Sequence, residues 1–89
     1  MIVEFDKSFS KSLNKINDYK ILQKIEKIIL ELENANSLNE FKSIKKLSGF
    51  KNYYRIRIKD YRIGFEKTNK NTIRFILIAH RKDIYQRFP

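Results

Sequence analysis

The chain has 89 residues, no cysteine, one histidine and a formal net charge of +10. That length holds one small domain, residues 1–89, with a compact two-layer core. The lack of cysteine excludes a disulfide framework and the usual structural zinc sites and fits a cytoplasmic protein, and no apolar run is long enough for a signal peptide or a membrane span.

The charge is unevenly spread. Residues Met1–Glu40 carry six Lys against seven acids, a balance of −1. Residues Phe41–Pro89 carry eight Lys and six Arg against three acids, a balance of +11. A cationic surface confined to the second half points to a nucleic acid or an acidic protein as partner.

In chain order, Ile2–Phe5 alternates and predicts an opening strand. Asp6 or Ser8 can cap a helix whose apolar face is Phe9, Leu13 and Ile16. Asn17-Asp18 interrupts it and caps a second helix, where Ile21, Ile25, Ile28 and Leu32 form one row that Leu22 and Ile29 widen. Lys20, Lys24 and Lys27 fall on or beside its outer face. Such a helical hairpin needs a sheet to cover its apolar stripe. Asn34–Asn39 is a polar loop too short to separate domains. Phe41, Ile44 and Leu47 then anchor a basic connector, and Ser48-Gly49 turns the chain.

Tyr53–Phe65 is the stretch around which the rest is organised. Tyr54, Ile56 and Ile58 alternate with Tyr53, Arg55 and Arg57, and the pattern resumes as Tyr61, Ile63 and Phe65 against Arg62, Gly64 and Glu66. A two-residue turn at Lys59-Asp60 pairs Ile58 with Tyr61, Arg57 with Arg62 and Arg55 with Gly64. Like charges directly opposite one another cost up to about 1 kcal/mol on a sheet. A bound polyanion offsets that cost, and the bare Gly64 leaves room for it to approach the backbone. Thr68–Asn71 is a second turn, and Thr72–Ala79, nearly continuous in apolar residues, predicts a central strand buried on both faces. His80–Pro89 closes the chain as an irregular or briefly helical tail. The fold class is α+β: an N-terminal strand and a helical hairpin packed on an antiparallel sheet that a C-terminal three-stranded meander completes.

With one His, no Cys, no paired carboxylates, no phosphate-binding glycine loop and no serine in a nucleophile context, neither a metal nor a cofactor is expected. What remains is Arg55, Arg57, Arg62, His80, Arg81 and Tyr85, with Lys51, Lys82, Asp83 and Arg87 around them. RNA can supply its own nucleophile through the 2′-hydroxyl, leaving the protein to orient the phosphate, move protons and neutralise the phosphorane. His80 is the one side chain that ordinarily titrates near neutrality; it is either a general base or a histidine that ends a buried strand with a satisfied hydrogen bond. Tyr85 either stacks on a base or packs on the core.

The segments KLSGFKNYYRIRIKDYRIGFE and IAHRKDIYQRFP resemble the RelE/ParE superfamily of toxins from prokaryotic toxin–antitoxin modules, on its RelE side. The length and order of elements agree over most of the chain. The resemblance implies a ribosome-dependent endoribonuclease that cuts mRNA in the decoding site without metal, and a cognate antitoxin that is acidic or partly disordered. It places Arg55 and Arg57 where relatives have two catalytic lysines and Arg62 where they have a phosphate-binding arginine. Arg81 matches an arginine that assists the leaving group, and Tyr85 a tyrosine that stacks on the substrate base. His80 falls where relatives vary. The catalytic set expected is thus Arg62, Arg81, Tyr85 and His80, with Arg55, Arg57, Lys51 and Lys82 binding RNA.

One departure bears on mechanism: a lysine can lose its proton when desolvated, whereas arginine stays charged. If a lysine is the base in relatives, Arg55 and Arg57 act electrostatically and the base lies elsewhere. Two rival readings keep the same fold, a ParE-like inhibitor of DNA gyrase that cleaves nothing and a degenerate partner that binds only antitoxin and operator DNA.

Overall fold

The computed structural model describes all residues, Met1–Pro89. In chain order the elements are β1 (Ile2–Phe5), α1 (Lys7–Leu13), α2 (Tyr19–Asn34), a 3₁₀ turn (Leu38–Glu40), β2 (Ile44–Lys46), β3 (Tyr53–Ile58), β4 (Tyr61–Asn69), β5 (Thr72–His80) and α3 (Ile84–Arg87). The α+β class expected from the sequence is the one observed. No helix is long and apolar enough to cross a membrane.

The hairpin of β3 and β4 has the register that its alternation predicts. Ile58 pairs with Tyr61, Arg57 with Arg62, Ile56 with Ile63 and Arg55 with Gly64. Its turn places Lys59 at φ 51, the left-handed region that Asn or Gly occupies more readily.

The sheet has five strands in the order β1-β5-β4-β3-β2. Two details differ from the sequence expectation. β1 enters parallel to β5, pairing Val3 with Ile73 and Phe5 with Phe75, so the sheet is mixed and not wholly antiparallel. A parallel pair needs a crossover connection, and the whole of the chain between β1 and β5 supplies it. The basic connector also contains a strand, β2, with Ile44 opposite Ile56 and Lys45 opposite Arg55. Its three residues, Ile-Lys-Lys, are too few for an alternation signal, and two lysines suit an edge strand.

One face of the sheet carries the main core. Ile56, Ile63, Phe65, Ile73, Phe75 and Ile78 meet Phe9, Ile16, Ile21, Ile25 and Leu32 from the helices. Asp6 caps α1 by accepting from the Ser8 amide, and Asp18 caps α2 by accepting from the Lys20 and Ile21 amides. A register shift opposite Gly64/Phe65 inserts Ile76 into β5 and disturbs the ladder there. Two serines of α1, one turn apart, lie against the β5 backbone at this point. Ser8 Oγ lies in hydrogen-bond range of the Ile76 carbonyl, and Ser12 Oγ accepts from the Ile78 amide at 3.0 Å while donating to the Phe9 carbonyl at 2.9 Å.

The other face is covered in part. A smaller cluster of Leu77, Ala79, Ile84 and Phe88, with Leu47 and Tyr53 against it, folds the C-terminal tail back over the sheet. The Phe88 ring occupies the space a Cβ of Gly64 would need. The room beside Gly64, read from the sequence as an approach for an anion, is therefore filled by the protein's own tail. The arginine end of the same face stays open.

Candidate functional site

Alternation on the β3–β4 hairpin brings the arginines of the site together. Arg55 and Arg57 project from the face of β3 opposite the helices, and Arg62 faces them from β4. β2 adds Lys45 directly opposite Arg55, and the Ser43 carbonyl accepts from the Arg57 amide at 2.9 Å, fixing the segment before β2 against β3. These side chains line a cleft of about 140 Å³ with Lys42, Ser43 and Tyr85. Five of its seven lining residues are cationic and none is a carboxylate, so an anion is the ligand it suits.

The tail supplies the aromatic member. The Arg55 guanidinium lies over the Tyr85 ring, 4.7 Å from its centroid, while Tyr85 itself remains 73% exposed. Arg62 is held by its turn, donating from Nη1 to the Lys59 carbonyl at 2.8 Å and the Tyr61 carbonyl at 2.9 Å. Burial lowers its proton affinity, and the charges of Arg55, Arg57 and Arg81 lower it further, against a smaller opposing effect from Tyr85. It stays cationic in neutral water. Arg81 is thus close enough to act on Arg62, although it does not line the cleft. Its amide donates to the Asp60 carbonyl at 2.7 Å and its Nε lies 3.9 Å from the Asp60 carboxylate.

The other candidates lie elsewhere. His80 pairs with Tyr61 on β4, one residue out of step with Arg62, so it shares the helix-covered face. Its ring meets Tyr61 edge-on at 5.9 Å and its Nδ1 accepts from the Lys82 amide at 3.2 Å. That is the satisfied histidine at a strand end, outside the cleft. Lys51, Lys82, Asp83 and Arg87 are exposed and do not line the cleft. Lys42 and Lys45 do line it and were missed as site residues; recognising β2 as a strand beside β3 would have placed Lys45 opposite Arg55.

Fold and sequence place the chain in the RelE/ParE toxin superfamily: the family described as "ParE toxin of type II toxin-antitoxin system, parDE" matches residues 3–85. On the RelE side, Toxin RelE3 of Methanocaldococcus jannaschii is 49% identical over 90 residues, covering 100% of both chains. The chain also resembles a chain in the crystal structure of the RelB–RelE antitoxin–toxin complex from Methanococcus jannaschii, with 46% identity, a TM-score of 0.81 and coverage of 97% of this chain and 99% of that one. The intact E. coli RelBE toxin–antitoxin complex shares the fold, with a TM-score of 0.68 at 18% identity over 89% of this chain and 94% of that one.

Proposed function

We propose that this toxin is an endoribonuclease that cleaves messenger RNA in the ribosomal decoding site, the RNA 2′-hydroxyl attacking an arginine-bound phosphate. The observation that carries the proposal is the convergence of Arg55, Arg57 and Arg62 with Tyr85 on one cleft. In this reading the 2′-hydroxyl gives its proton to water as its oxygen bonds to phosphorus, and the 5′-oxygen leaves and takes a proton from water, so that a 2′,3′-cyclic phosphate forms with a free 5′-hydroxyl. Arg55, Arg57 and Arg62 neutralise the dianionic phosphorane, Arg81 serves the leaving oxygen from the cleft's edge, and Tyr85 holds a base by stacking. No histidine or carboxylate lines the cleft, and arginine stays charged, so Arg55, Arg57 and Arg62 contribute orientation and charge.

The partner proposed is an acidic antitoxin that covers this face. The similar M. jannaschii chain was crystallised with RelB, and a formal charge of +10 suits an acidic protein.

Induction in cells, with transcripts and chromosomal DNA followed together, tests the proposal. The expected result is arrested translation with cut messages and intact DNA, abolished by Arg62→Ala or Arg81→Ala in proteins that remain folded. Double-strand DNA breaks with intact messages would make the chain a gyrase inhibitor.

A further inference from the structure

Beside the cationic cleft runs a second, larger groove, of about 860 Å³, to which no step above assigns a role. Lys45, Arg55 and Tyr85 belong to both, so the two form one continuous surface. Beyond those three residues the chemistry changes. Leu47, Phe50 and Tyr53 from the β2–β3 side, with Phe88 from the tail, make a largely apolar wall.

The aromatic side chains of the wall pack on one another. Tyr53 packs edge-on against Phe50 at 5.7 Å and against Phe88 at 5.5 Å. Phe50 is nevertheless 45% exposed, one of the few large apolar side chains left in water. It follows Gly49, which takes φ +84 and has open space where a Cβ would stand. The chain thus presents an aromatic residue at the rim of a groove that begins at its phosphate-sized cationic cleft.

An anion-binding cleft that passes into an aromatic wall within the width of Arg55 suits a ligand carrying a charge and a flat apolar group on the same unit. A nucleotide has that form, with phosphate and base joined through one ribose. A peptide offers its acidic and apolar groups on separate residues. We infer that the groove binds the base of a nucleotide flanking the cleaved phosphate in single-stranded RNA, with Phe50 as its stacking partner. The inference rests on the ribonuclease reading and adds to it a second base site, distinct from the stacking face of Tyr85. Stacking accepts any base, so this site holds the strand without reading its sequence.

The test uses the full chain and a short single-stranded RNA methylated at every 2′-oxygen, which can bind but cannot react. Affinity is read by fluorescence anisotropy for the intact RNA and for versions lacking one base at successive positions. Phe50→Ala is expected to bind the intact RNA roughly 5- to 150-fold more weakly, the usual range for loss of one stacked base, and Phe50→Trp to restore binding. Removing the base at one position should weaken the wild type by a similar factor and have no added effect on Phe50→Ala. If Arg57→Ala loses affinity and Phe50→Ala does not, the cleft takes RNA and the groove does not: the inference fails and the ribonuclease reading stands. If Phe50→Ala weakens only the binding of an acidic protein partner, the groove is a protein-docking surface and the inference also fails. If the wild type binds the RNA no better than Arg57→Ala does, the groove holds no RNA and the inference fails, while cleavage of a message on programmed ribosomes decides the ribonuclease reading separately.

Discussion

Phe88 lies against Gly64 so closely that any side chain at position 64 would have to displace its ring. This contact joins the cationic hairpin to the tail and so helps set where Tyr85 stands beside Arg55. Gly64→Ala should destabilise the protein by about 1–3 kcal/mol, the usual cost of forcing atoms into a packed site. Phe88→Ala should relieve part of that cost, so a double-mutant cycle of chemical denaturation will show strong coupling between the two positions. Additive effects would mean that the tail is not seated through Gly64.

Arg57 and Arg62 illustrate the opposite case, in which function opposes stability. They stand directly across the hairpin, and burial first, then the surrounding cations, disfavour the charge on Arg62. Arg57→Gln should therefore leave the folded protein as stable as the wild type or up to about 1 kcal/mol more stable, while RNA cleavage is lost. The gain should shrink as salt rises, because screening relieves the same repulsion in the wild type. Thermal melts of both proteins across a salt series check this, and a clear loss of stability in Arg57→Gln at low salt would contradict it.

The hairpin register was legible because period-two alternation and a two-residue turn leave few alternatives once Ile56 and Ile63 must both face the core. The cap Asp18 was legible for a similar local reason, and Asp6 was one of two candidates with Ser8. Less accessible were features set by distant pairing. β2 is too short to show a period, and the direction of β1 depends on its neighbour β5. The bulge at Ile76 is hidden inside an apolar run, where an extra residue leaves the pattern unchanged. Ser8 and Ser12 looked like ordinary helix polar residues, and their partners on β5 are 68 and 66 residues away. Alternation also sets the placement of the hairpin arginines: Arg55, Arg57 and Arg62 line one cleft. Lys42 and Lys45 escaped notice together with β2, and His80 fell on the opposite face by one position of register.

Asp6 gives the fold a testable pH dependence. Hydrogen bonds from the Ser8 hydroxyl and then the Ser8 amide hold its carboxyl below the ordinary range; burial opposes them, and Arg74 and Lys7 assist. A carboxyl depressed in the folded state stabilises the fold fully above its unfolded value, about 3.9, and loses that contribution as pH falls through the lower folded value. Asp6→Asn should thus melt below the wild type at neutral pH, with the gap closing under acid conditions below about pH 4. Melts from neutral to acid pH check the sign, and a gap that widens on acidification would contradict it.

His80 separates the two roles offered to it by sequence. With its ring against Tyr61 and Nδ1 accepting from the Lys82 amide, it has no place in the cleft. His80→Gln should retain cleavage within a few-fold of the wild type, whereas loss of a general base costs about 10²–10⁴-fold. Rates measured on one message for both proteins decide the matter, and a drop in that larger range would return His80 to the chemistry.

If the arginine cleft promotes attack by the RNA's own 2′-hydroxyl, the ends of the cut message carry the mark of that chemistry. Purified protein, programmed ribosomes and a defined message should be incubated, and the fragments analysed for terminal groups after a brief reaction. The expected products are a 2′,3′-cyclic phosphate on the upstream fragment and a 5′-hydroxyl on the downstream one, with neither formed by Arg57→Ala or Arg62→Ala. Fragments ending in a 3′-hydroxyl and a 5′-phosphate, or a message left whole by a protein that still arrests growth, would contradict that mechanism.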